Sequence, residues 1–209
     1  HYAYPSKFPT DILPVIAERT NICNYLDIPL QHASNSVLHN MRRQITRHET
    51  EELVAQIRDE IPNVSLRTTM LIGFPGETEN DHEQLKQFVE QQRFDRLGCF
   101  TYSHEEGTSG FELKDDVPDD IKLERANEVM EIQQNISYDL NQLKIGKEFK
   151  TLIDRKEGDR FIGRTESDSP EVDNEVIIDA RDTYLRVGDF ANIKITEATE
   201  FDLHGVLVS

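Results

Sequence analysis

Tryptophan is absent from these 209 residues, and there are only two cysteines and three methionines. Cys23 and Cys99 lie far apart, which excludes a disulfide framework and any closely spaced three-thiolate iron–sulfur loop. The expectation is a reduced, cytoplasmic setting with both thiols buried as small apolar groups. No run reaches the roughly 18 consecutive apolar residues that a membrane-spanning helix needs. No secretory signal is visible either. Positive charge is scarce: 23 Lys and Arg face 40 Asp and Glu, for a net charge of −17. Nucleic-acid affinity rests largely on neutralising phosphates, so the overall field repels RNA and attracts a basic protein. The chain opens on His1 and runs at once into Tyr2, Ala3 and Tyr4, which reads as a strand. A chain that begins inside a strand is expected to be a fragment.

The most informative stretch present is Thr68 to Thr78. An apolar strand stops at Gly73, and Phe74, Pro75 and Gly76 make a turn. Glu77 and Thr78 then lead into a helical pattern. Glycine at a strand end allows close backbone approach to a ligand. An ordinary strand–turn–helix joint with Thr78 as N-cap is the competing reading. Tyr25 to Ser34 repeats the grammar: a strand ends in Gln31, His32 and Ser34 before a short helix closed by Arg42 and Arg43. Leu97 to Ser103 is a third such strand end, followed by a polar loop to Pro118. Ligands in α/β sheets and barrels sit at the carboxyl ends of parallel strands.

The alternation of strands with amphipathic helices continues to a long helix from Asp119 to about Leu143. Its apolar stripe is Ile121, Ala126, Val129, Ile132, Ile136 and Leu140. Thr46 and Glu49 have capping-box spacing. Thr10 is expected to cap a helix reaching about Arg19. After Gly146 the grammar changes to five short strands with turn residues between them: 148–154, 160–164, 175–179, 190–196 and 202–208. Such a pattern reads as a small antiparallel barrel, a fold that often binds nucleic acid. From Lys144 onward, ten Lys and Arg face fifteen Asp and Glu, which argues against RNA electrostatics here.

The segments Pro29–Ser34, Leu38–Arg43, Met70–Thr78 and Cys99–Thr108 together resemble the radical S-adenosylmethionine (SAM) methylthiotransferases. The wording of Asp27–Ser34 and Ser103–Thr108 is most similar to members that act on an aspartate of ribosomal protein S-twelve. The tRNA-modifying members read differently at the first of these. The resemblance covers essentially the whole chain. It implies a partial, open TIM-like α/β barrel with a parallel sheet over residues 1–143. A TRAM domain, OB-like and five-stranded, follows over 144–209. It implies SAM as cofactor and two 4Fe–4S clusters in the full-length enzyme. The cluster cysteines of the C-x3-C-x2-C loop are not in this chain, so the fragment is expected to hold no metal and no catalytic residue and to be inactive alone.

The resemblance also implies cofactor contacts. Gln31 and Ser34 would bond ribose hydroxyls or the amino-acid end, although Ser34 also suits a turn cap. Arg43 would clamp the cofactor carboxylate or simply sit as a helix C-terminal cation. Gly73 and Gly76 would give backbone access. Phe74, Phe100 and Tyr102 would wall the adenine or pack the core. Glu77 would hold a backbone amide or the helix start. His32 is either a structural histidine or a base, and His39, His48, His82, His104 and His204 are expected to face solvent. Ribosomal protein S-twelve, recruited by the TRAM domain, is the implied partner, with no membrane and no RNA. A tRNA adenosine methylthiotransferase and a non-catalytic acidic module for a basic protein stand as alternatives.

Overall fold

Buried Leu66, Thr68, Met70 and Ile72 alternate with half-buried Arg67, Thr69 and Leu71. That period of two makes residues 65–72 the middle strand of a sheet in the computed structural model, which describes residues 3–181 and 183–208. The sheet order is β1 (Tyr25–Asp27), β2 (Ser65–Ile72), β3 (Arg96–Thr101). β2 and β3 run parallel, from the pair Arg67 and Arg96 to the pair Ile72 and Thr101. Past β1 the chain stays beside β2. Gln31 N–H donates to Thr69 O at 2.8 Å, Leu71 N–H donates to Gln31 O at 2.7 Å, and the Gln31–Met70 bridge is parallel.

Helices α1 (Leu13–Glu18), α2 (Asn35–Asn40), α3 (Arg47–Glu60), α4 (Glu79–Gln92) and α5 (Asp119–Gln142) alternate with these strands. The expected open α/β barrel segment is therefore present. The chain divides into two compact units. One is His1–Ile22 with Leu26–Gln133; the other is Cys23–Tyr25 with Gln134–Ser209.

Several details differ from expectation. His1 and Tyr2 of the first expected strand lie outside the described residues. Ala3 and Tyr4 form no strand, though Ala3 N–H donates to Asp27 O at 3.0 Å. The helix expected from Thr10 begins as a single 3₁₀ turn, Thr10–Ile12, and becomes α-helical only at Leu13. Pro14 explains this, since a proline fits only the first helical turn. Cys23 is exposed rather than buried, because it lies in the turn segment before β1 and not on an element with an apolar face; Cys99 is half-buried. His82 is buried, not solvent-facing: it sits on the inner side of α4 and its Nε2 lies 3.0 Å from Glu128 Oε2 on α5.

In the second unit β4 (Glu148–Glu157), β5 (Arg160–Arg164), β6 (Val176–Asp179), β7 (Phe190–Ala198) and β8 (Leu203–Leu207) close into a barrel of order β4-β5-β6-β8-β7. Its interior is Ile153, Phe161, Val176, Ile178, Ile193, Ile195 and Leu203. Gly205 lets β7 and β8 approach closely, since a Cβ there would lie 2.4 Å from Ile193 Cγ2. One pair departs from the antiparallel expectation: β6 and β8 run parallel. The end of α5 belongs to this unit. Ser137 Oγ–H, Asn141 Nδ2–H and Gln142 Nε2–H donate to the carbonyls of Glu200, Thr199 and Ala198 at 2.7, 2.9 and 2.8 Å. Among the described residues no helix is long and apolar enough to cross a membrane.

Candidate functional site

Three parallel strands bring Gln31, the Gly73–Glu77 turn and Tyr102 to one edge of the sheet. Gln31 pairs with Met70, and Tyr102 N–H donates to Ile72 O at 2.8 Å, so all three lie at the carboxyl ends. The half-buried face of the sheet carries Thr69 and Leu71 in register with Gly98 and Phe100. Phe100 is 60% exposed, and a Cβ at Gly98 would meet nothing nearer than 3.6 Å. Phe100 thus presents its ring to solvent beside a position that carries no side chain. Gln31 is half-buried and holds a left-handed backbone, φ 73°, at the same edge.

The other candidates are bound into the frame. Ser34 is buried, and its hydroxyl donates to Asp81 Oδ1 on α4, as does that of Ser36. Thr78 and Asp81 form a capping box at the start of α4. Burial disfavours ionised Asp81, but the hydroxyls of Ser34, Ser36 and Thr78 and the Thr78 amide outweigh it. They hold the carboxyl well below the usual range. Arg43 Nη2–H donates to Pro29 O, and its guanidinium stacks 4.4 Å over the Tyr4 ring centroid.

Glu77 is buried under the turn. Its Oε2 accepts Gly73 N–H at 2.7 Å, and its Oε1 accepts Arg125 Nη1–H at 2.9 Å. His32 is 1% exposed. Its Nδ1 accepts Ser34 N–H at 2.9 Å, so in the neutral ring the proton sits on Nε2, 3.5 Å from Glu77 Oε2. Burial pushes the Glu77 carboxyl upward, but His32, the Gly73 amide and Arg125 together hold it below its ordinary value. Burial, followed by the Glu77 charge, pushes the Cys99 thiol up to about 12, so it is not a thiolate.

Phe74 and Tyr102 meet edge to face at 5.0 Å and pack with Val37, Met41 and Leu71. Gly73 has φ 73°, and the space where its side chain would be holds the Lys122 stem, with Cγ 2.2 Å from an ideal Cβ. Gly76, with φ 84°, is exposed and donates its N–H to Asp116 Oδ1 at 2.8 Å. Sequence reasoning missed Asp81, Lys122 and Arg125. The available signal was a pair of cations three apart beside the apolar stripe of α5, which puts both on one helix face.

Residues 5–89 match the radical SAM superfamily, and residues 145–208 match the TRAM domain. The chain is 57% identical over 205 residues to the ribosomal protein uS12 methylthiotransferase RimO of Flavobacterium johnsoniae. It is 59% identical over 207 residues to the protein of that name from Cytophaga hutchinsonii. These alignments cover 98% and 99% of this chain and 47% of each relative, so the chain spans about half the length of the curated relatives it matches. Coproporphyrinogen III oxidase (HemN) from Escherichia coli, described as a radical SAM enzyme, shares the fold. Its TM-score is 0.56 at 21% identity, over 67% of this chain and 32% of that one. With a radical SAM segment, a TRAM domain and near-complete alignment to these relatives, the chain belongs to the radical SAM methylthiotransferase family.

Proposed function

We propose that the carboxyl edge of β1–β3 forms part of a SAM site in an enzyme that methylthiolates the β-carbon of an aspartate in ribosomal protein uS12. Residues 1–143 would be the C-terminal part of its barrel and 144–209 its TRAM domain. The observation that carries this reading is the open, half-buried sheet face at Gly98 and Phe100, bordered by Gln31. Of the nine candidate contacts, Gln31 and Phe100 would touch the cofactor, Phe100 against the adenine and Gln31 as a polar partner. Ser34, Arg43, Gly73, Phe74, Gly76, Glu77 and Tyr102 would hold the edge in shape around it. SAM and its iron–sulfur partner supply the radical chemistry that an unactivated C–H bond requires.

The chain's two cysteines offer no three-thiolate set for a cluster, so these 209 residues would be inactive alone. The two 4Fe–4S clusters of the whole enzyme would be held by residues outside this sequence. The acidic second unit would dock the basic ribosomal protein in the cytoplasm and disfavour RNA. Calorimetric titration of SAM into the chain tests the cofactor reading. Phe100→Ala and Gln31→Ala should each weaken binding at least about fivefold, the loss of one stacking or charged hydrogen-bond contact. Unchanged affinity in both variants would refute the placement.

A further inference from the structure

Lys122 lies on the first turn of α5 and is only 2% exposed. A lysine is rarely buried unless paired, and a cation near a helix N-terminus opposes the helix dipole. Its stem fills the space over Gly73, and its ammonium lies 5.5 Å from the Tyr102 ring centroid. Nζ–H donates to Asp115 Oδ2 at 2.9 Å and to Asp119 Oδ1 at 3.1 Å. Asp115 belongs to the segment 103–118 that leaves the end of β3 and returns to α5.

Two more contacts fasten the same segment. Asp116 Oδ1 accepts Gly76 N–H at 2.8 Å. Gly110 is buried against Tyr102 and Phe74: a Cβ there would lie 2.8 Å from the Tyr102 hydroxyl and 3.4 Å from Phe74 Cε2. The segment therefore crosses the carboxyl ends of β2 and β3 and is held there by these contacts and by the exposed Arg42–Glu112 pair at 3.4 Å. Only the Lys122 pin is a charged pair whose cation is buried, and such pins hold where exposed ones do not.

We propose that Lys122 is a positioning residue of the carboxyl-edge site, strapping segment 103–118 across the strand ends and so fixing the Gly73–Glu77 turn and Tyr102. The inference rests on the SAM reading above. Lys122→Met keeps the stem over Gly73 and removes the charge; Asp115→Asn removes the partner and leaves the lysine. Asp119→Asn is the control, because Asp119 is 96% exposed and such pairs contribute little.

Hydrogen exchange, calorimetric SAM affinity and thermal midpoint are measured on each variant. Exchange of amides 103–118 and 73–78 should rise about tenfold in Lys122→Met and in Asp115→Asn, with SAM affinity falling several-fold. The double variant should be no worse than either single one, as expected for a coupled pair. Lys122→Arg should recover part of the affinity, and Asp119→Asn should change nothing. Unchanged exchange in the strap, or a uniform rise through the first unit with a lowered midpoint, would overturn the proposal. So would a loosened strap with unchanged affinity. Absence of SAM binding by the unaltered chain would instead overturn the cofactor reading, and with it the place of Lys122 in the site. Should Lys122→Met fail to fold, Asp115→Asn decides by the same readings.

Discussion

Glu77 has both carboxylate oxygens committed, one to the Gly73 amide and one to Arg125. Glutamine has the same shape and cannot satisfy both a donor amide and a buried guanidinium. Glu77→Gln should therefore lower unfolding free energy by about 3 kcal/mol, the scale of a broken buried pair, measured by urea denaturation. Removing Arg125 as well should cost less than the sum of the two single changes. The pH dependence follows from the same contacts. Glu77 and Asp81 both titrate below their ordinary values in the folded chain. Their stabilisation is fully present above the unfolded carboxyl range near about 4 and is lost as pH falls through the folded values. The urea midpoint should drop as pH is lowered below about 4, and Glu77→Gln should flatten that slope. At this scale the sequence was partly legible. Glu77 was expected to hold either a backbone amide or the helix start, and the amide it holds is that of Gly73. Its other partners, His32 and Arg125, are 45 and 48 positions away in the chain, and only tertiary packing brings them together.

Helix boundaries were the most legible elements, because capping chemistry is local. Thr46 and Glu49 form the capping box that their spacing implies, with Thr46 N–H donating to Glu49 Oε2 at 2.7 Å. Thr46→Ala should destabilise the first unit by about 1 kcal/mol in thermal or urea unfolding. The same logic found Thr78 at the start of α4, but not that its partner Asp81 also collects Ser34 and Ser36 from the N-terminal end of α2. The five barrel strands were legible from turn residues and alternation. Their closure into a barrel was legible too, but the pairs that close it were not. Hairpin signals report strands adjacent in the chain, whereas β7 pairs with β4 and β8 closes on β6 in parallel. Nothing local in either segment records that partner. In α1 a local signal sets the start: Pro14 delays the α-helix to Leu13.

Across the whole molecule, charge is the property that the sequence states most directly and that the fold leaves intact. An acidic chain with an acidic second unit favours a basic protein over phosphates. Exposed charges interact over about 8 Å at physiological ionic strength, so such docking should weaken as salt rises. Titration of the chain against uS12 and against tRNA, at low and high salt, should give salt-sensitive binding to the protein and little to the tRNA. Tight tRNA binding without uS12 binding would favour a tRNA methylthiotransferase.

The central claim, that SAM binds at the carboxyl edge of β1–β3, is tested most directly by the hydrogen-exchange footprint of SAM on this chain. Amides 30–34, 71–74, 76–77 and 98–103 should exchange more slowly in its presence, while those of β4–β8 stay unchanged. Protection elsewhere, or none at saturating SAM, would contradict the account.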